Sequence, residues 1–287
     1  MNFVNKKIAL GGMMAAAFFS FQSSAFAVAV TNGNFASAST CVGTNTACMV
    51  APGTAFSAFS TGGASYLNGW SVASNGHNSG ELGFVYSGNY GTSVTGTTGS
   101  GFSLSSPGSI TVSPDTGVGN GGNFFVADGD PGYNMAIYQT LTGLTVGQTY
   151  AVSFYQASGA QSGYTPTGSV DWQVSFGTTA PVTNLANNTA AAATTQTINA
   201  AAMSATSGFS GWTSQTVNFT ATSANTTSGN AILSFLSEGP AGGPPMLFLD
   251  GISVNQLTGT PEPTTLLIAG SGLIGLLAVR RKRNAVK

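Results

Sequence analysis

The chain has 287 residues, 40 of them Gly, and only 5% carry charge, for a net charge of −1. All seven basic residues are terminal (Lys6, Lys7, Arg280, Arg281, Lys282, Arg283 and Lys287), whereas Glu81, Asp115, Asp128, Asp130, Asp171, Glu238 and Asp250 fall between Ala27 and Thr260. That span therefore has a formal charge of −7, seven carboxylates against no base, which excludes a nucleic-acid partner, since phosphate binding rests on Lys and Arg.

Without a cation, no salt bridge forms inside the span, and each carboxylate needs water, a hydrogen bond or a bound cation. Solubility rests on Ser, Thr, Asn and Gly, with a modest acidic field added.

In chain order, the first element reads as a secretory signal peptide over residues 1–27. Lys6 and Lys7 begin it, Ile8 to Phe21 is apolar, and Ala25-Phe26-Ala27 offers small residues to a signal peptidase. No cysteine follows the apolar run, so a lipoprotein anchor is not expected there. Next come Cys41 and Cys48, the only cysteines. In an oxidising compartment they predict a local disulfide, with free thiols as the alternative. Two cysteines and the single His77 do not make a zinc or haem site.

Residues 28–258 predict one β domain. Short runs alternate with period two between turn residues, and none keeps a helical period. In SVDWQVSFG, Val170, Trp172, Val174 and Phe176 share one face while Asp171, Gln173 and Ser175 share the other. Tyr150, Val152 and Phe154 oppose Ala151, Ser153 and Tyr155 in YAVSFYQAS. SITVS, NFFVAD, SQTVNFTA, AILSFLS and MLFLDGISV read likewise. Many short strands with one apolar face each predict an all-β, two-sheet antiparallel sandwich or jelly roll. Two stretches, 38–63 and 178–207, are irregular; the second reads as a long exposed loop or a loose extra hairpin.

No catalytic constellation stands out. GVGNGG, Gly117 to Gly122, has dinucleotide glycine spacing but leads into Asn123-Phe124-Phe125-Val126, a strand pattern, where phosphate binding needs a helix start. No Gly-x-Ser-x-Gly elbow occurs, and His77 has no evident nucleophile. Glu81, Asp171 and Glu238 are carboxylates a glycosidase would need in a pair, but nothing in the sequence pairs them. The chain is read as no enzyme and as needing no cofactor.

The order of landmarks Asn32-Gly33-Asn34-Phe35, Gly69-Trp70, Tyr138-Gln139-Thr140-Leu141, Gly147-Gln148-Thr149-Tyr150, Trp172, Gly211-Trp212 and Leu249-Asp250-Gly251-Ile252-Ser253-Val254 resembles jelly-roll carbohydrate-binding modules of the galactose-binding-like superfamily. The resemblance implies a structural calcium near the first and last strands. Asp250 matches one ligand position, Ala36 stands where the glutamate is expected, and Asn34 is a substitute oxygen donor. A hydrogen-bonded Asp250 without metal is the alternative. Asp128 and Asp130, in ADGDPGYN, form a second candidate calcium loop, or simply a polar turn. The resemblance also implies a sugar patch of an aromatic with Asp, Asn or Gln. Tyr155, Asp171 and Gln173 are candidates on outward faces, bordered by Tyr133, Asn134 and Tyr164. Plain packing and solvation are the alternative.

The last element, 259–287, contains Pro261-Glu262-Pro263, the uncharged Thr264 to Val279, then Arg280, Arg281, Lys282 and Arg283. Sixteen residues reach about 24 Å as a helix, a short membrane span, and the basic cluster stays cytoplasmic. This tripartite tail resembles the PEP-CTERM sorting signal of exopolysaccharide-producing Gram-negative bacteria. It implies that exosortase is a partner, that the inner membrane holds only the precursor, and that the product reaches the cell surface or matrix. Partners are then signal peptidase, exosortase and an extracellular polysaccharide in a biofilm or floc.

Overall fold

The computed structural model describes residues 26–36, 47–49, 67–74, 83–86, 94–95, 101–102, 104–105, 109–110, 123–179 and 195–257. Most of the expected signal peptide, Cys41, His77, Glu81, Asp115, the GVGNGG run and the whole C-terminal tail lie outside them. Among the described residues every regular element is a strand, and no helix is long and apolar enough to cross a membrane.

The strands are β1 (Ala27–Val28), β2 (Ala47–Met49), β3 (Ser71–Ser74), β4 (Gly83–Tyr86), β5 (Val94–Thr95), β6 (Gly101–Phe102), β7 (Phe124–Asp128) and β8 (Met135–Leu141). They continue as β9 (Thr149–Ala160), β10 (Ser169–Gly177), β11 (Thr195–Asn199), β12 (Met203–Ser204), β13 (Thr213–Thr220), β14 (Ala231–Glu238) and β15 (Pro245–Gln256). One sheet runs β13-β9-β15-β7-β4-β2, and β1 pairs with the second half of β15. The other runs β11-β10-β14-β8-β3, with β12 also on β10. β5 and β6 form a separate pair. The pairings are antiparallel, and the two large sheets face each other as a sandwich.

The inward faces are those that the period-two pattern assigns. Val170, Trp172, Val174 and Phe176 of β10 and Tyr150, Val152 and Phe154 of β9 belong to one buried cluster. Aromatic pairs join the sheets: Phe176 stacks on Phe219 at 5.4 Å, and Phe154 meets Phe235 edge-on at 5.2 Å. Trp172 is completely buried, and its indole N–H donates across the core to the Phe248 carbonyl at 3.2 Å.

Two features depart from the sequence reading. Residues 195–199 and 203–204, within the stretch expected to be a loop or loose hairpin, pair with β10 as edge strands. Thr-Gln-Thr-Ile-Asn alternates well enough to do so, and Gln196 is anchored by accepting a hydrogen bond from the Thr220 amide at 3.2 Å. Secondly, part of the sheet containing β9 is apolar on both faces. On its outward side Phe124, Val126, Ala157, Met246 and Phe248 form a second core beneath Leu104, Ile110, Phe209 and Trp212. Uninterrupted runs such as Phe124-Phe125-Val126 and Met246-Leu247-Phe248-Leu249 are the mark of strands covered on both sides.

The candidate sites

Tyr155 and the pair Asp171–Gln173 stand on opposite outward faces. Tyr155 is on β9 and Asp171 and Gln173 are on β10, in different sheets, with side chains directed away from the shared core. Facing sheets stack about 10 Å apart, so these residues cannot close on one sugar ring. The expected single patch is two separate sites, because alternation fixes which side of its own strand a residue takes but not which sheet that strand joins.

The first site is a cleft of about 540 Å³ beside Tyr155. β15 breaks register with β9 between Asp250 and Ser253, and Gly251 takes φ 62 at this bulge. A bulge bends the strand and opens the ladder, and Val30, Asn32, Gly33 and Asn34 form the opposite wall. That wall is pressed close: the Gly33 carbonyl accepts from the Ile252 amide at 2.9 Å, and a Cβ on Gly33 would lie 2.1 Å from the Ile252 oxygen. Asn32 and Phe35 turn the chain with φ 51 and 52. The left-handed conformation costs Phe about 1–2 kcal/mol, and it is held by complete burial of the ring against Trp70 and Phe125. Tyr155 supplies the cleft's aromatic surface, while Ser153, Ser214, Ser253, Asn32 and Asn34 supply hydroxyls and amides. None of the described residues lining it is charged.

The second site is on the outward face of the other sheet. Asp171 and Glu238 are directly opposite each other in the β10–β14 ladder. Gln173 donates to Glu238 Oε1 at 3.0 Å and Asn199 to Oε2 at 3.4 Å. Burial raises the Asp171 pKa, and a hydrogen bond from Asn199 partly offsets it. Burial, then repulsion from Asp171, raises that of Glu238. Asp171 Oδ1 is buried without a hydrogen-bond partner. Sequence reasoning saw Asp171 and Glu238 separately. Their pairing depends on a register between residues 67 apart in sequence, for which no local signal exists.

The bordering residues have structural duties. Tyr133 packs partly buried against the second core, and Asn134 donates its side-chain amide to the Ser237 carbonyl at 3.1 Å. Tyr164 is 46% exposed on a loop. The Asp128–Asp130 turn is tied by its own carboxylates. Asp128 accepts from the Asp130 amide at 2.8 Å, while Asp130 accepts from Gly132 at 2.8 Å and from Gly242 at 2.6 Å. Burial pushes the Asp128 pKa up to about 7, with the Asp130 charge adding to it against the backbone hydrogen bonds. Both carboxylates are thus turned onto backbone N–H groups. Asn34 Oδ1 likewise accepts from the Ala36 amide at 3.3 Å, and Asp250 is 1% exposed opposite Tyr155 in register. Among the described residues no three His, Cys, Asp or Glu side chains gather to hold a metal. Cys48 lies in β2 opposite Val85, and its pairing with Cys41 falls outside the described residues.

Residues 260–283 match the PEP-CTERM protein-sorting motif. Such a motif marks an exported protein held transiently in the membrane and processed by exosortase. No protein of curated function matches the chain. A solved Stig cyclase of Fischerella sp. TAU is similar at 14% identity, covering 83% of this chain and 100% of its own, with a TM-score of 0.46. A family 16 carbohydrate-binding module is similar at 16% identity over 47% of this chain and 77% of its own, with a TM-score of 0.29. The CBM22-1-GH10 modules of Clostridium thermocellum xylanase 10B are similar at 14% identity over 56% and 25%, with a TM-score of 0.28. These likenesses bear on neither ligand nor activity.

Proposed function

We propose that this chain is the precursor of a non-catalytic surface or matrix protein associated with exopolysaccharide in a biofilm or floc of a Gram-negative bacterium. The observation that carries the reading is the sorting motif over residues 260–283. A signal peptidase cuts after Ala27, and Thr264 to Val279 hold the precursor in the inner membrane against the basic stop Arg280–Arg283. Exosortase then removes the tail near Pro261-Glu262-Pro263, releasing the sandwich outward. Glu262→Ala, or loss of exosortase, leaves the precursor with its tail in the inner membrane. Release of mature-sized protein from such a strain would refute the sorting step.

The sandwich itself, on this reading, holds the host's exopolysaccharide through the Tyr155 cleft. Its size falls within the range of small-ligand sites, about 300–1,000 Å³. An aromatic face with hydroxyl and amide groups and no charge suits a sugar ring, whose faces are apolar and whose rim is polar. Affinity electrophoresis in gels containing that polysaccharide tests it. The protein is retarded and Tyr155→Ala is not; equal mobility of both with and without polymer would leave the cleft without this role.

A specific observation favours a second reading. Asp171 and Glu238, opposed on one face with raised pKa values, support a reading in which they serve as the two carboxylates of polysaccharide hydrolysis. Release of reducing ends by purified protein, abolished in Asp171→Asn and Glu238→Gln, would establish it in place of the non-catalytic role.

A further inference from the structure

The sandwich is asymmetric along its strands. Among the described residues four of the five acids (Asp128, Asp130, Asp171 and Glu238) are at the end where β7 and β14 finish and β10 begins, while the fifth, Asp250, is buried within β15. The opposite end, where β15 finishes, has no described charge. Phe26, Val146 and Leu257 are there, at 67%, 56% and 41% exposure, three of the four exposed large apolar side chains among the described residues.

They are neighbours through the backbone. The Gln256 amide donates to the Phe26 carbonyl at 2.9 Å and the Leu257 amide to the Thr149 carbonyl at 2.8 Å. Val146 is in the turn that leads into Thr149, and that turn is tied to β15 by Gln256 Nε2 donating to Gln148 Oε1 at 3.1 Å. Phe26 remains only until a cut after Ala27, so Val146 and Leu257 are the lasting pair. From this same end the chain leaves for the sorting motif, which begins three residues beyond Leu257. Thr264 is seven residues on, so its apolar stretch is within about 25 Å of the sandwich at full extension.

We propose that this apolar end, without charge among the described residues, is the face the precursor rests on the lipid surface while its tail is inserted, with the acidic end directed away. Apolar side chains enter the headgroup boundary favourably, whereas carboxylates are repelled by anionic phospholipid. The orientation presents the Pro-Glu-Pro segment at the membrane, where an embedded transpeptidase works, and leaves the Tyr155 and Asp171 faces in solvent. The inference rests on the tail being inserted.

The test is the chain from Val28 to Lys287, tail included, in vesicles of phosphatidylethanolamine and phosphatidylglycerol, with brominated lipid quenching an added indole. Val146→Trp and Tyr164→Trp both replace exposed side chains, so folding is not at issue; flotation with the vesicles reports insertion. Val146→Trp loses roughly twice as much emission as Tyr164→Trp or more, since interfacial side chains lie only about 5–10 Å into the boundary. Equal quenching of the two, or none at Val146→Trp, in a chain that floats would overturn the docking while leaving the tail reading intact. A chain that fails to float would overturn both.

Discussion

Replacing Asp128 by Asn isolates the cost of burying one carboxylate. Asp128 is 1% exposed, and its pKa is raised from an ordinary 3.8 to about 7, chiefly by burial. Between those values the folded protein keeps a proton that the unfolded chain has released. The stability tied to this group is therefore full below about pH 4 and is lost as pH rises toward 7. At about 1.4 kcal/mol per pKa unit, the whole effect is about 4 kcal/mol as a ceiling. Asn retains an oxygen for the 2.8 Å hydrogen bond from the Asp130 amide and cannot ionise. Urea unfolding of both proteins from pH 4 to 8 then gives similar stabilities at the acid end, with the variant ahead by a few kcal/mol at pH 8. Titrations at Asp171 and Glu238 are common to both proteins and cancel in the difference. A difference that stays constant across this range would show that Asp128 does not keep its proton in the fold, and the argument would fail.

Trp172→Ala removes the largest fully buried side chain and the hydrogen bond it donates to the Phe248 carbonyl. It should cost about 3–5 kcal/mol, read from the urea midpoint. Asp171→Asn removes the charge that repels Glu238, so carbon-detected NMR titration should find the Glu238 pKa closer to its ordinary value; an unmoved titration would deny the coupling. Trypsin should leave the processed protein uncut even in urea, because no Lys or Arg lies between Lys7 and Arg280. Internal tryptic fragments would refute the processing boundaries.

Local pattern carried much of this molecule. Alternation in SVDWQVSFG and YAVSFYQAS assigned core and outward faces correctly, since side-chain direction along a strand is a property of the strand alone. The sorting tail was legible for a related reason: proline flanks, an apolar stretch and an arginine cluster act in sequence order and need no partner from elsewhere. The outward apolar layer was also there to be read, in runs where alternation stops.

The sites themselves came only from the way the sheets assemble. Tyr155 and Asp171 look equivalent along the chain, yet β9 and β10 join different sheets and turn them to opposite sides. Glu238 meets Asp171, and Phe26 meets Gln256, because antiparallel registers bring together segments that are 67 and 230 residues apart. Charge, export and strand period are local quantities that the sequence by itself determines. Which carboxylates repel one another, where a bulge opens a cleft and at which end the described acids gather depend on long-range pairing, and only the tertiary structure decides them.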